Sequence, residues 1–382
     1  MSADAGELVE DLRALVAHES PSADLAAVAG SAEAVADLGR RLTGAEPELI
    51  VFGGCSHLRW RFGAGDRVLL LGHHDTVWPI GSLAEHPWRV ADGRAYGPGC
   101  FDMKAGVVQL FHALADQDDL DGVSVLITGD EELGAPTSRQ LIETEARRVA
   151  AVLVLEGAAP GGALKTARKG IAHYEVRIHG RAAHAGLEPW SGVNAAVELA
   201  HQVLALTALG GDRPDLTTVT PTVLSAGVTA NTVPALASAR VDVRVPSRAE
   251  LDRVDAAIRA LEPAVAGARI EILTGPVHPP MESTASADLL ILAQHVAAEY
   301  GLGPLSGAAV GGASDGNIAA GVGTPTLDGL GAVGGGAHAA DEHVVVAELP
   351  RRTSLVSGLV RALRHRSLRP TSGLAVDRPG RP

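Results

Sequence analysis

Two cysteines, Cys55 and Cys100, are all that 382 residues contain. That is too few for a disulfide framework, and each is expected as a small buried hydrophobe, although Cys100 lies two residues before Asp102, where a reactive thiol is conceivable. No stretch reaches the roughly 18 consecutive apolar residues of a membrane span. The first residues, Met1-Ser2-Ala3-Asp4-Ala5-Gly6-Glu7, place acids where a signal peptide needs a basic start, so a cytoplasmic location is expected. Basic residues are also scarce: 32 Lys and Arg against 45 Asp and Glu give a formal net charge of -13. This argues against nucleic acid or an anionic membrane as partner and favours small or cationic ligands. What the chain does have is length, enough for two or three domains at roughly 100 to 200 residues each.

Its organising stretch is Leu69-Leu70-Leu71-Gly72-His73-His74-Asp75-Thr76-Val77. An aliphatic run of this kind predicts a strand buried on both faces, and ligands of an α/β sheet bind beyond the carboxyl ends of such strands. His73 and Asp75 are two apart, so in extended chain they point to the same side. A carboxylate there can orient an imidazole whose other nitrogen holds a metal. Two further apolar runs, Val123 to Ile127 and Val152 to Leu155, are followed by Gly129-Asp130-Glu131-Glu132 and by Glu156-Gly157. Parallel strands bring their carboxyl ends to one edge, so these distant groups are predicted to converge.

Before the first run, residues 6 to 18 and 23 to 43 carry helical spacing of apolar residues, and Ser20-Pro21-Ser22 separates them. Another helix is predicted from near Met103. From about residue 170 the period changes to two: Ala172, Tyr174, Val176 and Ile178 alternate with His173, Glu175, Arg177 and His179. A helix over 192 to 209, strands near Thr217 to Leu224 and 237 to 245, a helix from Arg248 to Ala264 and a strand from Arg269 to Leu273 follow. This order is that of a ferredoxin-like α+β unit inserted into the first domain. The expected division is 1–169 with 277–369 for a discontinuous doubly wound α/β domain, 170–276 for the insert, and 370–382, rich in proline, glycine and charge, for a disordered tail. Helices are predicted at Asp288 to Tyr300 and from about Leu349 to His365, with a glycine-rich stretch between them ending in Gly334-Gly335-Gly336-Ala337-His338.

His73, Asp102, Glu131, Glu132, Glu156 and His338 therefore form a candidate set of nitrogen and oxygen ligands without thiolate, as used by catalytic zinc or similar divalent ions. A carboxylate can bridge two ions, and Glu131-Glu132 can divide the work, one residue facing metal and the other moving a proton.

Taken in order, Gly72-His73-His74-Asp75-Thr76-Val77, Gly97-Pro98-Gly99-Cys100-Phe101-Asp102-Met103-Lys104-Ala105-Gly106, Asp130-Glu131-Glu132-Leu133-Gly134, Leu155-Glu156-Gly157 and His338-Ala339-Ala340-Asp341-Glu342 resemble the zinc peptidase family M20. Gly180-Arg181-Ala182-Ala183-His184-Ala185-Gly186, Asn231-Thr232-Val233-Pro234 and Asp242-Val243-Arg244 look most like its glutamate carboxypeptidase branch. The resemblance implies one zinc on His73, Asp102 and Glu156 and a second on Asp102, Glu132 and His338, with Asp102 bridging; cobalt or manganese would accept the same ligands. It implies Glu131 as general base and acid, Asp75 as the orienter of His73, and a homodimer in which the insert lends His184 to the partner's active site. Asn231 and Arg244 become candidates to hold a substrate carboxylate. His74, Cys100 and Phe101 depart from the pattern without removing a ligand; His74 is expected to pack away from the metal. Arg168-Lys169, at the predicted hinge, is expected as a solvated linker, with substrate contact as the alternative, and Ser314-Asp315 as a helix N-cap or a pocket wall.

The function expected is a dinuclear zinc hydrolase that cleaves a small peptide at an amide bond next to a free carboxylate, carboxypeptidase-fashion. The alternatives are an N-acyl amino acid deacylase or other amidohydrolase and, from a different class, a non-catalytic metal-stabilised dimeric binding protein.

Overall fold

The computed structural model of the chain describes residues 4–211 and 216–365; the tail expected to be disordered, 370–382, lies outside them. Its contacts divide the chain into two compact units, one of Met1–Leu164, Asp288–Gly307 and Val322–Pro382, the other of Lys165–Ala287 and Ala308–Gly321.

The first unit is a mixed sheet with helices packed on it. A hairpin of β1 (Glu48–Phe52) and β2 (Cys55–Phe62) precedes the three aliphatic strands, β3 (Val68–His73), β4 (Val123–Thr128) and β5 (Ala151–Val154). The sheet order is β1-β2-β4-β3-β5 followed by the short strand Thr326–Leu327. β3 runs parallel to both neighbours, with His73 opposite Thr128 and Leu71 opposite Val154. The residues after these strands consequently leave the sheet at one edge, as the aliphatic runs predict. The hairpin was not read from the sequence because β1 is mostly exposed and β2 carries Arg59 and Arg61 among its apolar residues.

Helices α1 (Ala5–Val16), α2 (Leu25–Thr43), α3 (Ala105–Ala115) and α4 (Arg139–Arg148) lie where periodicity or composition allows them. The carboxylate of Asp24 caps α2 by accepting from the N–H groups of Ala26 and Ala27, both at 3.1 Å. The last helix, Glu348–His365, packs on α3, and one continuous core holds Leu8, Leu12, Trp60, Phe111, Leu355 and Leu359. The helix expected from Met103 begins at Ala105 instead, because Asp102 has extended angles (φ -119°, ψ 95°) within a turn whose Asp102–Met103 peptide is cis. No helix among the described residues is long and apolar enough to cross a membrane.

A second, small sheet was not anticipated. Gly334–Gly335, His343–Val345, Arg94–Tyr96 and Arg89–Ala91 pair side by side in that order.

The other unit contains β6 (Gly170–His179), α5 (Ala195–Ala208), β7 (Thr218–Ala226), β8 (Leu236–Val245), α6 (Arg248–Arg259) and β9 (Arg269–His278), in the strand and helix order read from the sequence. Its antiparallel sheet has the order β7-β8-β6-β9, and alternate residues, Ala172 to Ile178 and Ala237 to Val245, form a core of its own with α5 and α6. The unit is larger than the 170–276 expected. β9 continues to His278, Arg168 and Met281 exchange backbone hydrogen bonds of 2.9 and 3.0 Å, and Lys169 N–H donates to Val310 O at 3.2 Å, which brings in residues 308–321. Arg168 is no solvated linker: its side chain is buried and donates to the carbonyls of Gly312 and Ala313. Ser314 Oγ accepts from Gly316 N–H at 3.1 Å, the cap geometry expected there.

Candidate metal centre

His73 is the last residue of β3 and its side chain is 1 % exposed. Its Nδ1 lies 3.0 Å from the carbonyl oxygen and 3.4 Å from the carboxylate of Asp75. Its Nε2 faces outward from the sheet edge toward Asp102 Oδ1 at 3.3 Å, Glu156 Oε1 at 3.5 Å and Glu131 Oε2 at 3.9 Å. Asp75, fully buried, does more than orient this ring. Its oxygens accept from the backbone N–H groups of Glu131 and Glu132, each at 3.2 Å, and from Ser22 Oγ at 2.6 Å. One carboxylate thus locks the end of β3 to the acidic turn after β4.

Asp130 anchors that turn from behind, accepting from the N–H and hydroxyl of Thr137, each at 2.6 Å, and from Ser138. Asp102 comes to the sheet edge on the turn before α3. Gly106 allows this approach: a Cβ there would sit 1.9 Å from Leu155 O, on the segment that ends in Glu156. His338 rides on the loop between Gly334–Gly335 and His343–Val345, closed by Gly336 at φ 74°. The small sheet pairs His343 with Tyr96 and so carries this loop to the segment leading into Asp102.

The result is a chain of ligand pairs. Asp102 Oδ1 faces His73, while Asp102 Oδ2 is 3.3 Å from His338 Nε2, which is 3.2 Å from Glu132 Oε1. Donor atoms of His73, Asp102 and Glu132 lie within 4.8 Å of one another, as do those of His73, Glu131 and Glu156. Burial opposes charge on His73, yet the carboxylates of Asp102, Asp75 and Glu156 hold its pKa well above the ordinary value. The carboxylates of Asp102 and Glu132, close to its Nε2, raise His338 from 6.5 to about 10, and burial raises Glu132. Carboxylates crowded around the Nε2 atoms of His73 and His338 mark a place built for positive charge. His73 Nε2 and Glu132 Oε1 are buried and make no well-aligned hydrogen bond, although charged neighbours stand 3.2 to 3.9 Å away, which fits a divalent ion between them.

His74 turns the other way. Its Nε2 lies 3.1 Å from Ser56 O, and burial lowers its pKa to about 4. Cys100 is buried with Sγ 3.8 Å from Ala95 O, and burial raises its thiol pKa well above the usual. In a third cluster, Cys55, His57 and Asp130, the histidine and the aspartate are linked through the Thr137 hydroxyl. His57 Nδ1 accepts from Gly129 N–H and Nε2 meets Thr137 Oγ1, which leaves neither nitrogen for a metal. Ser22 and Glu342 are the functional residues that sequence reasoning passed over. Ser22 lies in the segment that separates two helices, where nothing in its residue type points to Asp75. For Glu342 the sequence offers one signal, an acid four residues after the candidate ligand His338.

The three candidates of the other unit are placed differently. His184 is exposed; its Nδ1 accepts from the N–H groups of Gly186 and Leu187, both at 3.1 Å, so the proton sits on Nε2. Asn231, also exposed, lies beside it, its carbonyl accepting from Ala185 N–H at 2.9 Å. Arg244 is near the other end of β8, and its guanidinium holds Asp242 through Nε at 2.9 Å and Nη2 at 3.0 Å. The unit brings His184 and Asn231 together and leaves Arg244 apart from them.

Fold and site define a hydrolytic metalloenzyme. The chain belongs to peptidase family M20/M25/M40, which it matches over residues 69–362. It is 31% identical over 369 residues to carboxypeptidase G2 of Pseudomonas sp. (strain RS-16), covering 92% of this chain and 88% of that protein. It is 32% identical to the succinyl-diaminopimelate desuccinylase of Methylorubrum extorquens (strain PA1), covering 76% and 81%. Its fold is that of the aminopeptidase PepT of Bacillus cereus ATCC 10987 (TM-score 0.73, 21% identity, 95% of this chain and 100% of that one). It is likewise that of the M20 family metallo-carboxypeptidase Sso-CP2 of Sulfolobus solfataricus (TM-score 0.71, 18% identity, 94% and 99%).

Proposed function

We propose that the chain is a dinuclear zinc hydrolase that cleaves an amide bond adjacent to a free carboxylate, as a carboxypeptidase acting on a C-terminal Glu or similar residue. The observation that carries this is the division of Asp102: one oxygen faces His73 and its carboxylates, the other faces His338 and Glu132. His73, Asp102 and Glu156 would hold one cation, and Asp102, Glu132 and His338 the other. When bound, such a pair polarises a carbonyl and lowers the pKa of water.

The chain's own residues then have distinct tasks. Glu131 Oε2 takes the proton of the attacking water and delivers it to the leaving nitrogen, while Asp75 fixes both the His73 ring and the backbone of Glu131. His184, with its Nδ1 occupied by backbone N–H groups, presents Nε2 as a donor suited to a developing oxyanion, and in this reading it serves the active site of a partner subunit. Supporting a homodimer, β7 is the edge of its sheet and exposes Val223 and Leu224, and α5 exposes Leu204. Asn231 beside His184 is placed to bind a substrate carboxylate; Arg244 already holds Asp242 through Nε and Nη2 and has Nη1 left to offer.

The similarity to a desuccinylase supports a second reading, an N-acyl amino acid deacylase with the same centre and a different acyl pocket. Hydrolysis rates of zinc-loaded protein on a dipeptide ending in glutamate and on N-acetyl and N-succinyl amino acids separate the two. Faster cleavage of the acyl amino acids replaces the first reading with the second; cleavage of neither class rejects both.

A further inference from the structure

Glu342 is a buried carboxylate beside the metal centre that belongs to neither ligand set and has no part in the proton transfer. Its Oε1 accepts from the N–H groups of Phe101 at 2.8 Å and Asp102 at 3.0 Å, and its Oε2 from Gly99 N–H at 2.9 Å and Trp78 Nε1–H at 2.7 Å. All these partners donate and none can accept, so the pocket is complementary to a carboxylate anion. Glu342 is also part of the His338 loop: its own N–H donates to Ala339 O at 2.9 Å, and the next residue, His343, pairs with Gly335 and Tyr96. A single side chain therefore ties the backbone of Asp102 to the loop that carries His338. The His73 and Glu156 side is set differently, by the parallel register of β3 and β5, with every strand residue buried.

We propose that Glu342 is the positioning residue for the second cation, fixing the spacing of Asp102 Oδ2 and His338 Nε2 and hence the affinity of the Asp102, Glu132 and His338 half of the centre. The His73, Asp102 and Glu156 half is held by the sheet and depends on it little. The inference rests on the two-cation reading above. Its physical basis is preorganisation: a carboxylate that moves by a fraction of an ångström loses metal affinity although no ligand has changed.

Glu342→Gln tests it, because the amide presents an N–H to the backbone N–H groups that the carboxylate accepted. Metal-free protein titrated with Co2+ is followed by calorimetry and by visible absorption of the bound ion. The wild type is expected to take two equivalents. The variant should bind the first within about threefold of wild type and the second about 10- to 100-fold more weakly, with Glu342→Asp recovering part of the loss. Trp78→Phe, which removes one donor and keeps the carboxylate, should shift the same second step less, and it carries the test if Glu342→Gln does not fold. Two equivalents bound at wild-type affinity by the variants would overturn the proposal, as would equal weakening of both steps. A wild type that takes up one equivalent overturns the two-cation reading itself and is seen before any variant is made.

Discussion

The two units hold their candidate residues in opposite ways. In the first, His73, Asp75, Asp102, Glu131, Glu132 and Glu156 are largely or wholly shielded and converge on one sheet edge, joined by the hydrogen bonds of Asp75 and by close charged contacts across segments far apart in sequence. In the second, His184 and Asn231 stand exposed on neighbouring loops, and Arg244 is occupied by Asp242. A metal cage has to be assembled before the metal arrives, so its desolvation is met by bonds within the fold. Groups that meet a substrate, or a second subunit, have nothing to satisfy until that partner comes. The first unit therefore reads as a complete centre and the second as half of an interaction.

The comparison breaks at its strongest point if Glu131 is dispensable. Glu131→Ala should lower kcat by about 10²- to 10⁴-fold while leaving metal content, measured by elemental analysis, at the wild-type level. Wild-type turnover in the metal-loaded variant would remove the proton shuttle from the mechanism. The next largest effect belongs to His184→Ala, expected at about 10²- to 10³-fold in kcat, again with metal retained. Here the unequal units give a sharper test. Mixing and reassociating the two inactive variants should restore up to about a quarter of wild-type activity, because a mixed dimer has one site with Glu131 from one chain and His184 from the other. If mixtures stay inactive although mixed dimers form, His184 does not act across an interface.

Why the first unit was legible and the second less so follows from the same contrast. Burial imposes pattern: β3, β4 and β5 are aliphatic on both faces because both are covered, and the parallel order of such strands predicts where His73, Glu131 and Glu156 meet. Asp102 and His338 are candidates by residue type alone, and only a family resemblance implies their place in the centre, because what brings them there, the pairing of His343 with Tyr96, involves strands of two or three residues with no periodicity to detect. Glu342 and Ser22 escaped notice because they act on backbone N–H groups and on another carboxylate, and residue type alone does not show such partners. Arg168 shows the converse error: a charged pair at a predicted domain boundary reads as solvated, yet the arginine is buried on carbonyl oxygens of residues 312 and 313.

A smaller effect concerns the pH dependence of the first unit. In metal-free protein His338 has its pKa raised from 6.5 to about 10, and the surrounding carboxylates raise His73 also, which favours the protonated form of both rings. The stability contributed by charged His338 is complete below 6.5 and is lost as pH rises through about 10, so metal-free wild type should lose its advantage over His338→Gln across that window in thermal melts. Metal competes with those protons, so its affinity should rise over the same window, by up to about tenfold per pH unit for each proton displaced. Calorimetry in buffers of different ionisation enthalpy measures that release, and cation binding without proton release would contradict the cage as described.

The smallest effects lie within the second unit. Asn231 presents an uncommitted side chain next to His184, whereas Arg244 already spends its fork on Asp242, which His173 Nε2 also approaches at 3.1 Å. Loss of one hydrogen bond to a charged group corresponds to about 1.5 to 3 kcal/mol at most, so Asn231→Ala should raise KM by about tenfold for a substrate with a free carboxylate. The corresponding amide should show little change. Arg244→Lys keeps a cation on Asp242 and should change KM by less than about threefold. If Arg244→Lys proves the more damaging of the two, Asp242 is a latch that opens for substrate, and the second unit holds a carboxylate site at the end of β8 rather than beside His184.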